Sequence, residues 1–285
     1  MKRYLSFLYI LLAGILWGVI GLFNRNLAGS GFSPQSIVFV RNFGGMLVLG
    51  LVFLIFDRSV FRIRLKHLPY FFGTGVISVL LFTLCYFTCQ QMCSLATAAI
   101  LLYTAPTFVV ILSALLWKDK ITKQKLIALV VTFLGCTFVT GVWDGGLAIT
   151  PLGFLLGIGS GFFYGLYSIF ARYALAHYKP FTVTFYTFVF AGISALLVVR
   201  PDELTAAAQP PVLLLILGLV IVSTVLPYLF YTKGLAQVDS GKASILASIE
   251  PVVAALTGII VFGEPMSITV LLGLACILLS VYILR

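Results

Sequence analysis

Apolar residues along this chain gather into ten long runs separated by short polar punctuation. A membrane-spanning helix takes roughly 20 apolar residues. The pattern predicts spanning helices over 4–24, 34–56, 69–91, 94–117, 122–142, 150–172, 180–199, 211–233, 240–262 and 267–284. The breaks carry turn residues: Gly29 to Pro34 after the first run, Lys118-Asp119-Lys120 after the fourth, and Trp143 to Gly146 after the fifth. Pro201-Asp202-Glu203 and Gln209-Pro210-Pro211 bracket the loop before the eighth, and Gly263-Glu264-Pro265 precedes the tenth. No stretch is left for a soluble domain. The expectation is an all-α integral membrane protein of ten transmembrane helices.

Composition agrees. Of 285 residues, 61% are hydrophobic and 9% charged, whereas a soluble domain averages roughly 25% charged residues. The net charge of +10 does not read as a nucleic-acid footprint, because the basic residues sit in short loops between apolar runs. Their distribution instead orients the chain. With a cytoplasmic N-terminus, fifteen of the eighteen Lys and Arg residues fall in inner segments, Arg25 and Arg200 fall in outer loops, and Arg41 lies within a span. The expected topology is N-in and C-in. The first run, Tyr4 to Phe23, exceeds the 7–15 residues of a signal-peptide core, so it reads as a retained helix. The expected location is a cell membrane, crossed many times, with the bacterial inner membrane as the host bilayer.

The chain also repeats itself. Gly14, Trp17 and Gly18 align with Gly161, Tyr164 and Gly165 at an offset of 147, and Arg25 then meets Arg172. Tyr86 meets Tyr231 and Pro106 meets Pro251 at an offset of 145, and Asp119 meets Glu264. The reading is two five-helix repeats, 1–145 and 146–285, forming one transport unit. Five helices is an odd number, so the second repeat is inverted, an architecture of many secondary transporters with the site near midplane.

The stretch Gly241 to Ala255, with Glu250-Pro251 inside it and Phe262-Gly263-Glu264-Pro265 after it, resembles the drug/metabolite transporter superfamily in its ten-helix EamA branch. Residues 98–107 look like the first-half equivalent, with Ala105 where Glu250 stands. Trp17-Gly18 and Arg41 fit as well, and the resemblance covers essentially the whole chain. It implies export of amino acids, metabolites or drug-like compounds without ATP, commonly against protons. Function must still be argued from the site.

Glu250 is the first candidate. It lies about ten residues into its run, roughly 15 Å deep at 1.5 Å per residue. An ionisable group there is costly unless it faces protein, water or a partner. Desolvation poises such an acid to exchange a proton or bind a cation. It can equally be a structural acid paired with Arg41 or bonded to backbone freed by Pro251. Arg41 can bind a substrate carboxylate bidentately, snorkel to the outer interface, or hold a structural ion pair. Trp17 and Tyr164 are repeat equivalents at mid-helix. Gly14, Trp17, Gly21 and Asn24 share one helical face, as do Ser160, Tyr164 and Tyr167. Tyr86 with Gln90, Tyr228 with Tyr231, and Tyr103 near Pro106 complete a set that can stack on flat or cationic solutes or serve as plain packing. Pro106, Pro251 and Pro227 each remove a backbone donor within a span, giving either gate hinges or static bends.

Other features read blandly. Gly14-x3-Gly18 and the Gly157–Gly161 cluster are packing signals. Cys85, Cys89 and Cys93 form one helical stripe of thiols, which serve as small apolar packers, so no metal is expected. His67 and His177 fall at cytoplasmic ends, outside the spans, and read as solvated. There is no G-x4-G-K-[ST] phosphate loop, H-E-x-x-H or G-x-S-x-G motif, so neither an enzyme nor an ATP-driven pump is expected, and no cofactor.

The expected function is a secondary active exporter of small organic solutes, proton-coupled and alternating around a midplane cavity. A passive facilitator or channel gives nearly the same sequence. The partners are a small-molecule substrate, the lipid bilayer and protons. A monomer suffices, and a homodimer is compatible with the same reading.

Overall fold

The computed structural model describes residues 2–92, 95–139, 150–263 and 267–284, and among these there is no strand. In chain order the main helices are α1 (Tyr4–Gly29), α2 (Pro34–Phe56), α3 (Leu65–Cys89), α4 (Ala98–Trp117), α5 (Lys123–Val139), α6 (Pro151–Leu175), α7 (Pro180–Ala195), α8 (Pro210–Leu235), α9 (Ser240–Phe262) and α10 (Ile268–Ile283). Seven of them are long and apolar enough to cross a membrane. The other three, α5, α7 and α10, hold 17, 16 and 16 residues. The apolar run at 180–199 is longer than its helix because the chain turns after Ala195.

Short polar residues and prolines start the helices. Ser33, Thr150, Asp239 and Ser267 each accept a backbone N–H from three residues on, satisfying an orphan donor of the first turn. Pro34, Pro151, Pro180 and Pro210 follow at first helical positions, where a missing N–H costs nothing. Arg25, expected in an outer loop, is helical instead, and Arg172 is helical at the end of its predicted run. Arg25 lies in α1, with its guanidinium 4.3 Å from the Phe262 ring, and Arg172 lies in the last turn of α6. Both helices run beyond their apolar runs, to Gly29 and Leu175.

Irregularities recur along the chain. Helix α4 is interrupted by a turn at Tyr103–Thr104 and α9 by one at Ser248–Ile249, 145 residues apart. Helix α4 ends on Lys118 at φ 57° and α9 on Gly263 at φ 66°, again 145 apart. Both α3 and α8 contain π-helical turns, Gly73–Leu80 and Ile221–Val225, and α-helix resumes at Leu81 and Leu226. The packing follows the same exchange: α1 lies on α8 and α9, α6 lies on α3 and α4, α2 pairs with α7, and α5 pairs with α10.

The outside of the bundle is apolar. Leu51, Ile55, Leu115, Leu197, Leu214 and Ile260 are each more than 60% exposed. Such a coat would drive association in water and suits a hydrocarbon solvent, in which the backbone must bond internally.

Candidate functional site

The site begins with the break in α9. Ser248 and Ile249 form a turn, and helix resumes at Glu250, so Glu250 opens a helical segment with Pro251 behind it. The free N–H groups and dipole of such a start favour an acidic side chain. Helix α1 packs tightly against this break through two glycines. A Cβ on Gly14 would collide with Ile249 and meet the Ala247 carbonyl at 2.8 Å. One on Gly18 would meet Val253 Cβ at 2.5 Å and the Glu250 carbonyl at 2.8 Å. Trp17, between them, is thereby held beside Glu250. The same construction holds α6 to the break in α4. A Cβ on Gly161 would meet Thr104 Oγ1 at 2.5 Å, and one on Gly165 would meet the Ala105 carbonyl at 3.2 Å.

Where these elements meet, a cavity of about 80 Å³ is lined by Glu250, Arg41, Trp17, Asn24, Tyr103 and Tyr164. Tyr86 and Tyr228 also reach it. Glu250 is therefore directed inward, with the Arg41 guanidinium and the Tyr164 hydroxyl as the groups acting on its carboxyl. Arg41 is 6% exposed. Its Nε donates to Thr224 Oγ1 at 3.2 Å, and the Thr224 hydroxyl donates to the Leu219 carbonyl at 2.8 Å within the π-helical region of α8. Among the described residues there is no ion pair between Arg41 and Glu250 within 4 Å. The two charges thus share a cavity while remaining separate. Two further polar atoms are buried without a partner, the indole Nε1 of Trp17 and the Oδ1 of Asn24. Leaving such groups unpaired costs about 1–3 kcal/mol each, and both belong to residues that line the cavity.

Below the cavity the bundle is closed. Trp17 packs on Tyr228 at 5.2 Å and Tyr231 at 5.4 Å between ring centroids. Beyond this layer the Tyr167 hydroxyl meets Thr232 Oγ1 at 2.6 Å and Ser168 Oγ meets the Tyr231 hydroxyl at 2.7 Å. The space left there is about 10 Å³, at the lower limit for a single water. Tyr167 and Tyr231 therefore stand in the closed layer and not around the cavity. Further toward the same end, Arg172 forms a two-pronged ion pair with Asp119 and stacks 4.2 Å from the Trp117 ring. Lys125 binds Asp239 at 3.0 Å.

The prolines sit at the irregularities. Pro106 and Pro251 follow the two turns, and Pro227 follows the π-helical stretch of α8. The side chain of Gln90, and Cys93 and Glu264 entirely, lie outside the described residues. The Cys89 thiol donates to the Gly153 carbonyl at 3.3 Å. One expectation is overturned: His67 is not solvated. It is 8% exposed within α3, stacks on His177 at 4.4 Å, and binds the Tyr178 hydroxyl through Nδ1 at 2.8 Å. The rings of Tyr70, His177 and Tyr178 cover it.

Sequence reasoning missed six residues. Ile20, Phe82, Thr83, Phe87 and Leu102 line the cavity, and Thr224 holds Arg41. Phe82 and Thr83 lie one turn before Tyr86 and Phe87, so extending the Tyr86 stripe backward by i−3 and i−4 would have found them. Thr224 had no such signal.

Comparison with known proteins bears on this architecture. The EamA-like transporter family model matches residues 5–141 and again 151–285. An uncharacterized transporter of Archaeoglobus fulgidus is 31% identical over 274 residues, covering 96% of this chain and 94% of its own length. The uncharacterized inner membrane transporter YicL of Salmonella typhimurium is 26% identical, with 97% and 94% covered. A crystal structure 19% identical in sequence superposes with a TM-score of 0.80 over 98% of this chain and 95% of its own, a likeness of fold alone.

Proposed function

Because this chain belongs to the EamA-like transporter family, we propose that it is a secondary active exporter of small organic solutes, coupled to protons through Glu250. It is a multi-pass membrane transporter. The finer reading has ten spans in two inverted five-helix repeats with both termini inside, in a bacterial inner membrane. The family match to both halves and the recurrence of breaks, caps and π-helical turns at 145 residues support the repeats.

The observation that carries the coupling proposal is the pairing of unlike demands in one cavity. Glu250 and Arg41 face it without neutralising each other, and Trp17 Nε1 and Asn24 Oδ1 have unmet hydrogen bonds. A solute carrying an acceptor toward Arg41 and Trp17, and a donor toward Glu250 and Asn24, satisfies all four. Amino acids and amphoteric amines have that chemistry, and the surrounding rings suit an apolar or aromatic body. The solute and the proton then compete for one carboxylate, so that arrival of one accompanies departure of the other. In this topology the cavity belongs to the outer half, and the layer from Trp17 to Arg172–Asp119 closes the inner half. Alternating access requires that closure to open while the cavity side closes.

The test is reconstitution in liposomes with an imposed proton gradient, recording charge movement against amino acids, amines and organic cations. Solute-dependent currents that follow the gradient, and vanish in Glu250→Gln, are expected. Solute fluxes indifferent to the gradient would make the protein a passive facilitator and Glu250 a structural acid.

A further inference from the structure

A second space, larger than the cavity above, lies elsewhere among the described residues. It is a groove of about 470 Å³ on the outside of the bundle, walled by Phe7 and Leu11 of α1, Leu246 of α9, and Leu278 of α10, with Tyr4 and Tyr282 at its rim. Tyr4 and Tyr282 are about 70% exposed. The first turn of α1 and the last turn of α10 lie at this rim, and the first turn of α9 reaches the end of α10 through Lys242. From Tyr4 to Leu11 the groove runs seven residues along α1, about 10 Å at the helical rise. Its walls are apolar, so water gains nothing by entering it, and in a bilayer it opens on hydrocarbon.

The mouth is basic. Lys242 lies one turn before Leu246, and its Nζ reaches the Leu284 carbonyl at 3.5 Å, just past the end of α10. That weak contact is the hydrogen bond its ammonium makes. Among the described residues no carboxylate lies within ion-pair distance of it. The nearest acid in sequence, Asp239, is occupied, accepting the Lys242 backbone N–H at 2.9 Å and binding Lys125 at 3.0 Å. Exposed phenols mark the headgroup level of a bilayer, and basic residues beside an intramembrane groove select anionic lipid.

We propose that this groove is a binding site for an anionic glycerophospholipid, with one acyl chain between α1, α9 and α10 and the phosphate at Lys242. The site is separate from the transport cavity. Yet two of its walls, α1 and α9, are the helices whose glycine contact holds Trp17 beside Glu250. The bound chain therefore braces the contact that shapes the cavity.

The experiment is native mass spectrometry of the purified full-length protein, offered phosphatidylglycerol and phosphatidylcholine of matched chains. Retention is read directly, so the result is independent of transport and of any solute. Each basic group near a headgroup contributes about 1 kcal/mol, or about fivefold. The wild type should retain at least about fivefold more phosphatidylglycerol. Lys242→Gln should remove most of that preference, Lys242→Arg should keep it, and Leu278→Trp, filling the groove, should lower retention of both lipids. Equal retention of the two lipids by the wild type, or an unchanged preference in Lys242→Gln, overturns the proposal. Unaltered retention in Leu278→Trp also overturns it, by placing the lipid elsewhere.

Discussion

The two broken helices make a natural experiment. In α4 the chain turns at Tyr103–Thr104 and resumes with Ala105-Pro106; in α9 it turns at Ser248–Ile249 and resumes with Glu250-Pro251. Each break is pressed by a glycine-bearing helix, and each segment ends on a left-handed residue. The backbones repeat, and the side chain after the turn does not. One break carries a methyl group that is fully buried, the other a carboxyl facing the cavity. The repeated part is therefore scaffold. In the proposed mechanism, what the protein does with that scaffold depends on the residue at which the two broken helices differ.

The largest effect should come from erasing that divergence. Glu250→Gln is expected to lower gradient-driven transport at least about a hundredfold, in the range of losing a proton-transfer group, while Ala105→Ser changes it less than about twofold. Equal losses in a liposome flux assay would break the comparison. Next in size is the closeness of the two contacts. A Cβ on Gly18 meets the Glu250 carbonyl at 2.8 Å, whereas one on Gly165 meets the Ala105 carbonyl at 3.2 Å. Gly18→Ala should cost about 1–3 kcal/mol by overpacking and lower the thermal midpoint in detergent clearly more than Gly165→Ala.

A smaller effect tests how the positive charge is set opposite the acid. Thr224→Val removes the acceptor of Arg41 Nε, and a hydrogen bond to a charged group contributes roughly 1.5–3 kcal/mol. The half-saturating solute concentration should rise about tenfold or more, with the maximal rate largely kept. A fall in rate alone would assign Thr224 to the helix and not to Arg41.

The smallest concerns the starts of α2 and α7. Lys179 offers α7 no side-chain cap, while α2 is capped by Ser33, whose own amide donates to Glu203 at 2.7 Å. The Ser33 hydroxyl and amide hold the Glu203 carboxyl below its usual range. A depressed folded value means the clip is fully formed above the usual carboxylate range and weakens only as pH falls through the lower folded value. Hydrogen exchange at Ser33 should stay protected from about pH 8 to 5 and loosen below about 4. Glu203→Gln should lose the pH dependence.

Much of this was legible in the sequence, and the reasons for the rest are physical. Apolar runs and prolines located the helices because hydrocarbon demands both length and internal bonding. A carboxylate at depth marked Glu250 because that placement is costly. The cavity's apolar lining was not legible. A helix in lipid is apolar on every side, so Ile20, Phe87 and Leu102 look like the lipid-facing residues around them. The stacking of His67 on His177 was hidden because a loop-end position gives no sign of what folds over it. Thr224 was invisible because the α-helical period assigns it to the wrong face once the turn becomes π-helical.

That last point reaches beyond one threonine. A π-helical turn behaves as a one-residue insertion absorbed without a loop. Each residue advances an α-helix by about 100°, so deleting one residue from Ile221–Val225 would straighten α8 and swing everything beyond it by that angle. Tyr228 and Tyr231 would leave Trp17, and Lys233 would leave the Tyr9 ring it now covers at 4.4 Å. Relatives that lack the extra residue should therefore need a different set of aromatic side chains to close the same end of the bundle.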